Sequence, residues 1–261
     1  QGGDARAAHE QYLKAHQVLR LAFPKGHPRT LKALVGLAQT EKELDPARAE
    51  QRFEDVLHLI RAQKEPDLRL MAASYNSLGD VQRTQAKQAA ENGDATTAEL
   101  KGNKASANLA AALETLERQS AEGLPNNSRP VHMNLCFLAE DREDWSAMLE
   151  HCRTAWTLRP ESDADIGRHE VRNLLALAKA QQHSGKREDA IESLRAGLPL
   201  IAVEESIPVL LSLAELLWQT PALRDEAIDI VERGRRDLRS AANTEAIIEV
   251  DRWLGTHQPH E

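Results

Sequence analysis

Small side chains recur at matched intervals along this chain, and that recurrence restricts the fold more than any other feature. Five segments carry an apolar residue followed by Gly, Cys, Ala or Glu: Val35-Gly36, Leu78-Gly79, Leu135-Cys136, Leu177-Ala178 and Ala214-Glu215. After each comes a small or flexible residue with a bulkier or apolar one four positions on: Ala49/Phe53, Ala107/Ala111, Met148/Cys152, Ala190/Leu194 and Ala227/Val231. First and second marks lie 13, 28, 12, 12 and 12 residues apart, and successive first marks lie 43, 57, 42 and 37 apart. Antiparallel helices approach closely only where facing side chains are small, and the bulkier residue one turn later fills the neighbouring hole. The spacing therefore predicts a stack of helix pairs. A further small residue, at Ala155, Gly197 or Gly234, is expected to admit the following repeat. Pro160 is expected to stop the helix that carries Ala155.

Composition agrees with helices. Aromatic residues make up 3%, β-branched residues are sparse, and Ala and Leu dominate the apolar 41%. The net charge of −8 argues against a nucleic-acid surface, which needs clustered Lys and Arg. Charge is uneven, +4 over residues 1–40 and −6 over 201–261, and is read as solvated surface. No window is apolar for long enough to cross a membrane as a helix. Phe23-Pro24-Lys25-Gly26-His27-Pro28 reads as a break, with Gly26 expected as a left-handed cap and Pro28 as the first residue of a new helix. The second repeat holds about 16 extra residues between its marks. They predict two helices lengthened by about two turns each, with the reversal at Glu91-Asn92-Gly93-Asp94. The Ala-rich arm so formed reads as a long hairpin packed on its neighbours, with a projecting contact arm as the alternative.

Leu78-Gly79, Ala49 with Phe53, and Ala155 followed by Pro160 resemble the tetratricopeptide repeat, over roughly residues 4–240. Gly26-His27-Pro28-Arg29-Thr30-Leu31 is similar to the linker of the longer, kinesin-light-chain variety. Gln181 and Ala139 stand where that family has Tyr. The resemblance implies an all-α fold, a right-handed superhelical solenoid of antiparallel helix pairs, spanning 1–261 as one domain. Its parts would be an orphan helix at 4–22, helix pairs at 28–64, 66–120, 129–160, 164–200 and 206–240, and a capping helix at 243–255. Helix 4–22 reads as a second helix with no first helix before it. That suggests either lost upstream chain or an N-terminal cap. His257 to Glu261 are expected as a disordered end.

Motifs for chemistry are sparse. The sequence holds no His-Glu-x-x-His pair, phosphate-binding Gly loop, Gly-x-Ser-x-Gly elbow or EF-hand loop, so an enzyme is not expected, nor a metal or cofactor. The histidines are scattered and read as structural or solvated. Cys136 and Cys152 read as two buried thiols, with a disulfide, marking an oxidising compartment, as the alternative.

The resemblance further implies a concave groove lined by the first helices. By repeat register the contact residues would be Asn76 and Asp80, then Met133, Asn134 and Phe137, then Arg172, Leu175 and Lys179. Asparagine offers paired donor and acceptor groups to a partner's backbone. Arg172 and Lys179 would meet an anionic group. Met133, Phe137 and Leu175 would receive apolar side chains. The family's carboxylate-clamp lysines are replaced by Ala33 and Leu37, so a chaperone-tail binder is not expected. The leading reading is a module that binds a protein or peptide segment, with no nucleic acid and no direct membrane insertion. The alternative is a regulatory segment of a larger bacterial signalling protein, whose partners include further domains of the same polypeptide.

Overall fold

A computed structural model describes residues 2–159, 168–241 and 243–257. Those residues form twelve α-helices joined by tight turns and three short 3-10 turns, with no strand among them. Contacts divide the chain into two compact units, 1–141 and 142–261. The first holds α1 (Gly2–Ala22), α2 (Pro28–Leu44), α3 (Pro46–Arg61), α4 (Leu68–Glu91), α5 (Ala95–Ala121) and α6 (Arg129–Asp141). The second holds α7 (Trp145–Thr157), α8 (Arg168–His183), α9 (Arg187–Gly197), α10 (Ile207–Trp218), α11 (Arg224–Ser240) and α12 (Thr244–His257). The expected stop at Pro160 and the chain end at 258–261 lie outside the described residues, but His257 is the last residue of α12 rather than part of a disordered tail.

Glycines lie where helices touch. A methyl group on Gly36 of α2 would overlap the Tyr12 ring of α1. On Gly79 of α4 it would sit 2.7 Å from Leu109 Cγ and 3.2 Å from the Ala105 carbonyl of α5. Gly197 of α9 receives Leu174 of α8, and Gly234 of α11 receives Leu210 of α10. Gly197 and Gly234 therefore close their own helix pairs, which corrects the expectation that they admit the following repeat.

The structure also moves two marks. In the long hairpin the residues facing Gly79 are Ala105 and Leu109, both fully buried, whereas Ala107 is exposed. In the fifth segment Ala214 is fully buried and Glu215 is exposed. Both errors have one source. Spacing fixes a helical face only to within a residue or two, and in α5 the many alanines blur the choice further.

Turns complete the pairs. Asp94 and Asp144 cap α5 and α7 by accepting from the N–H groups of Thr97 and Ala147, each at 3.0 Å. Gly93 and Gly185, each just before the first residue outside a helix start, take positive φ of 78° and 72°. Glu143 occupies the same place before Asp144 with φ of 56°. Gly26 does not adopt a positive φ, which corrects its expected role as a left-handed cap. Its carbonyl instead accepts from Gln63 Nε2 at 2.7 Å. His27 stacks on Phe23 with ring centroids 4.2 Å apart and caps α2, accepting the Arg29 N–H, with Pro28 as the first helical residue.

The core of the first unit gathers Leu31, Phe53, Val56, Ile60, Leu78 and Leu109. In the second unit Leu174, Leu194, Val209, Leu217, Val231 and Val250 do the same. There α12 buries Val250 and Leu254 in the core, and its Trp253 Nε1 donates to Glu215 Oε2 of α10 at 3.4 Å. Cys136 and Cys152 are both buried and both disulfide-bonded, which corrects the expectation of two free thiols.

A left-handed backbone costs a side-chain-bearing residue about 1–2 kcal/mol, part of which glycine returns through greater unfolded-state entropy. Glu143→Gly is therefore expected to raise unfolding stability by up to about 1 kcal/mol, and Gly93→Ala to lower it by about 1 kcal/mol. Urea denaturation measures both, and unchanged midpoints would contradict the turn geometry.

Candidate interaction surface

Within the first unit α2, α4 and α6 are linked by side chains at regular offsets. Gln39 on α2 donates to Ser77 Oγ on α4, and Lys42 pairs with Asp80 one turn further on. Asn134 Nδ2 on α6 donates to Asn76 Oδ1 on α4 at 3.0 Å, and Arg83 Nη1 meets Asp141 Oδ2 at 2.8 Å. These links follow from helix geometry. Residues 39 and 42, 77 and 80, and 76 and 83 each repeat at three or seven positions, so each pair shares a face.

Asp80 anchors this network. Burial alone would raise its carboxyl pKa, but the charge and hydrogen bond of Lys42, with Arg83 adding to both, hold it below the usual carboxylate range. Arg83 is itself buried, 5.8 Å from the centroid of the Phe137 ring. Behind this face Glu50 accepts from Gln82 Nε2 at 3.0 Å and pairs with Lys101. There too burial works upward, while the hydrogen bonds and charge of Lys101 and the amides of Gln82 and Gln85 take the carboxyl below its ordinary value.

The structure brings the expected contact residues of the first unit together but divides them by depth. Asn76, Asp80 and Asn134 are half-buried and linked to neighbours across the face. Met133 and Phe137 are buried at 8% and 5% exposure, which leaves them little surface for a guest. In the second unit Arg172 and Lys179 are exposed on α8, and Leu175 packs against the core. Lys179 Nζ lies 5.7 Å from the centroid of the Trp145 ring, which also stacks in parallel on His183 at 3.8 Å. His183 and Trp145 thus flank the expected contact residues of that helix. Among the described residues no three His, Cys, Asp or Glu side chains gather to hold a metal.

A cavity of about 680 Å³ adjoins the Asn76 side of the first-unit face. Its walls come from α2 (Gln39), α4 (Arg69 to Ser77), the end of α5 (Leu116, Gln119), the connection at Leu124, Pro125 and Asn127, and the start of α6 (Pro130, Val131). Repeat register had pointed only to first helices, so the contribution of α5 and its following loop was missed. The available signal was Gly123-Leu-Pro-Asn-Asn127, a turn sequence dense in amides.

No family model matches the chain, and no curated protein matches it. Solved structures do. The chain is similar to BtubC (BKLC) from P. vanneervenii, with a TM-score of 0.68, 14% identity, and 92% of each chain covered. It is also similar to a putative kinesin light chain of nearly identical TPR-like repeats from Podospora anserina. There the TM-score is 0.55 at 17% identity, covering 84% of this chain and 99% of that one. A Q17M form of the latter gives 0.58 at 15% identity, with 82% and 97% covered. The fold is thus that of a TPR-like helical-repeat protein. Among the described residues no helix is long and apolar enough to cross a membrane.

Because the Asp80 carboxyl is held low in the folded chain, its stabilisation is complete above its unfolded pKa and is lost as pH falls through the folded value. Asp80→Asn is expected to cost about 1–3 kcal/mol at pH 7 by leaving Lys42 unpaired. The gap to wild type should close as pH drops below about 4. Denaturation across pH measures this, and a gap independent of pH would contradict the ion pair.

Proposed function

We propose that this chain is a non-enzymatic interaction module that docks an extended peptide or protein segment along the α2, α4 and α6 face of its first unit. The α8 face of the second unit, with Arg172, Leu175 and Lys179, offers a separate set of contacts, the first and last suited to an anionic group.

The observation that carries this reading is the Asn76–Asn134 pair. One Asn134 hydrogen is spent on Asn76 Oδ1, which fixes both amides. Asn76 keeps its two N–H donors and Asn134 keeps its carbonyl oxygen. A peptide backbone presents the complementary set, one C=O and one N–H per residue, independent of its side chains. Lys42, Asp80, Arg83 and Asp141 neutralise one another beside that pair, so they hold the helices in place rather than attract a charged guest. The solved neighbours support a scaffold role, since they too are repeat proteins.

Panning a phage-displayed random peptide library on the immobilised chain is expected to yield binders. Replacing both Asn76 and Asn134 by Ala should weaken their binding by about tenfold or more while circular dichroism stays unchanged. Binding that is indifferent to the double substitution would contradict the proposed docking face.

A further inference from the structure

We infer that the cavity beside Asn76 is the element that selects the docked segment: it takes an uncharged apolar side chain and rejects lysine and arginine. This rests on the docking face proposed above and adds its sequence preference.

Four observations point the same way. The volume of about 680 Å³ falls within the range, roughly 300–1,000 Å³, of pockets that enclose ligands. The floor is apolar, with Leu116 and Val131 both buried. At the rim Leu124 is 50% exposed, an apolar wall that a guest side chain would cover. Burying such a surface is favourable in proportion to its area, so an aliphatic or aromatic guest gains where a polar one does not.

Charge supplies the rejection. Among the described residues no carboxylate lines the cavity, and the one charged side chain there is Arg69. A lysine or arginine entering there would lose water, find no counter-ion and meet a like charge.

Gln119 is 4% exposed, and its Nε2 donates to the Pro125 carbonyl at 2.6 Å. That bond fixes which way the amide faces and leaves Oε1 buried with no donor. That oxygen is closed off from the open space of the cavity, so selection rests on the apolar walls and on charge.

The same phage selection tests this, read by sequence. Binders are expected to share one Leu, Ile, Met or Phe position with Lys and Arg depleted around it. A fluorescein-labelled peptide of the winning sequence should bind about tenfold or more weakly to Ala73→Trp, which fills the cavity from an exposed position. Changing the apolar residue of that peptide to Lys should cost a similar factor on wild type. Arg69→Glu should recover part of that loss. Binders that depend on Asn76 and Asn134 yet show no apolar position, ignore Ala73→Trp, or tolerate Lys equally on wild type and Arg69→Glu would overturn this inference and leave the docking face standing. A library that yields no binders would overturn both.

Discussion

Close approach of helix to helix at residues without side chains is the constraint on which this structure depends. Gly36, Gly79, Gly197 and Gly234 each admit a large side chain of a neighbouring helix into the space a Cβ would fill. Leucine is the guest at three of these positions and Tyr12 at the first. The exchange lets helices with 3% aromatic content build dense cores, because the backbone itself becomes part of the contact surface. Fully buried alanines, such as Ala49, Ala105, Ala178, Ala190 and Ala227, extend the same principle where slightly more room exists.

Once the helices are this close, polar side chains on adjacent first helices come within reach of one another. Lys42, Asp80, Arg83 and Asp141 form a chain of opposite charges across α2, α4 and α6, and Asn76 meets Asn134 beside it. The links that fix the helices are thus the same ones that orient the face proposed for docking. The amides are held by each other, and the capacity they retain is presented in a set orientation. A guest would pay less ordering entropy at such a face than at one whose side chains are free.

Much of the fold was legible in the sequence because the helix contacts are local. A pair separated by 12 or 13 residues leaves its small-residue marks in one short window, as at Ala178 and Ala190. Legibility failed where the window widened. Across the long α4–α5 hairpin the partner of Gly79 was placed at Ala107, two residues from Ala105, because every face of α5 offers alanines. The face that α4 and α6 share was legible at Asn76, Asp80 and Asn134, which helix register places on one side. It was not legible that Met133 and Phe137 are buried, since apolar residues next to the outward face serve core and surface by the same pattern. The cavity was hidden for another reason: Gln119 and Leu124 come from a second helix and a loop, which no repeat register marks as facing inward.

The most direct measurement of the central claim is the stability of single glycine-to-alanine variants, by urea denaturation, at Gly79 and at Gly255. A Cβ at Gly79 meets Leu109 and the Ala105 carbonyl, whereas at Gly255, within α12, it meets nothing within 4 Å. Gly79→Ala should therefore lose about 1–3 kcal/mol from overpacking. Gly255→Ala should gain about 0.5–1 kcal/mol from helix propensity alone. Equal gains at both positions would show that the helices do not depend on the missing side chain, and the account would fail.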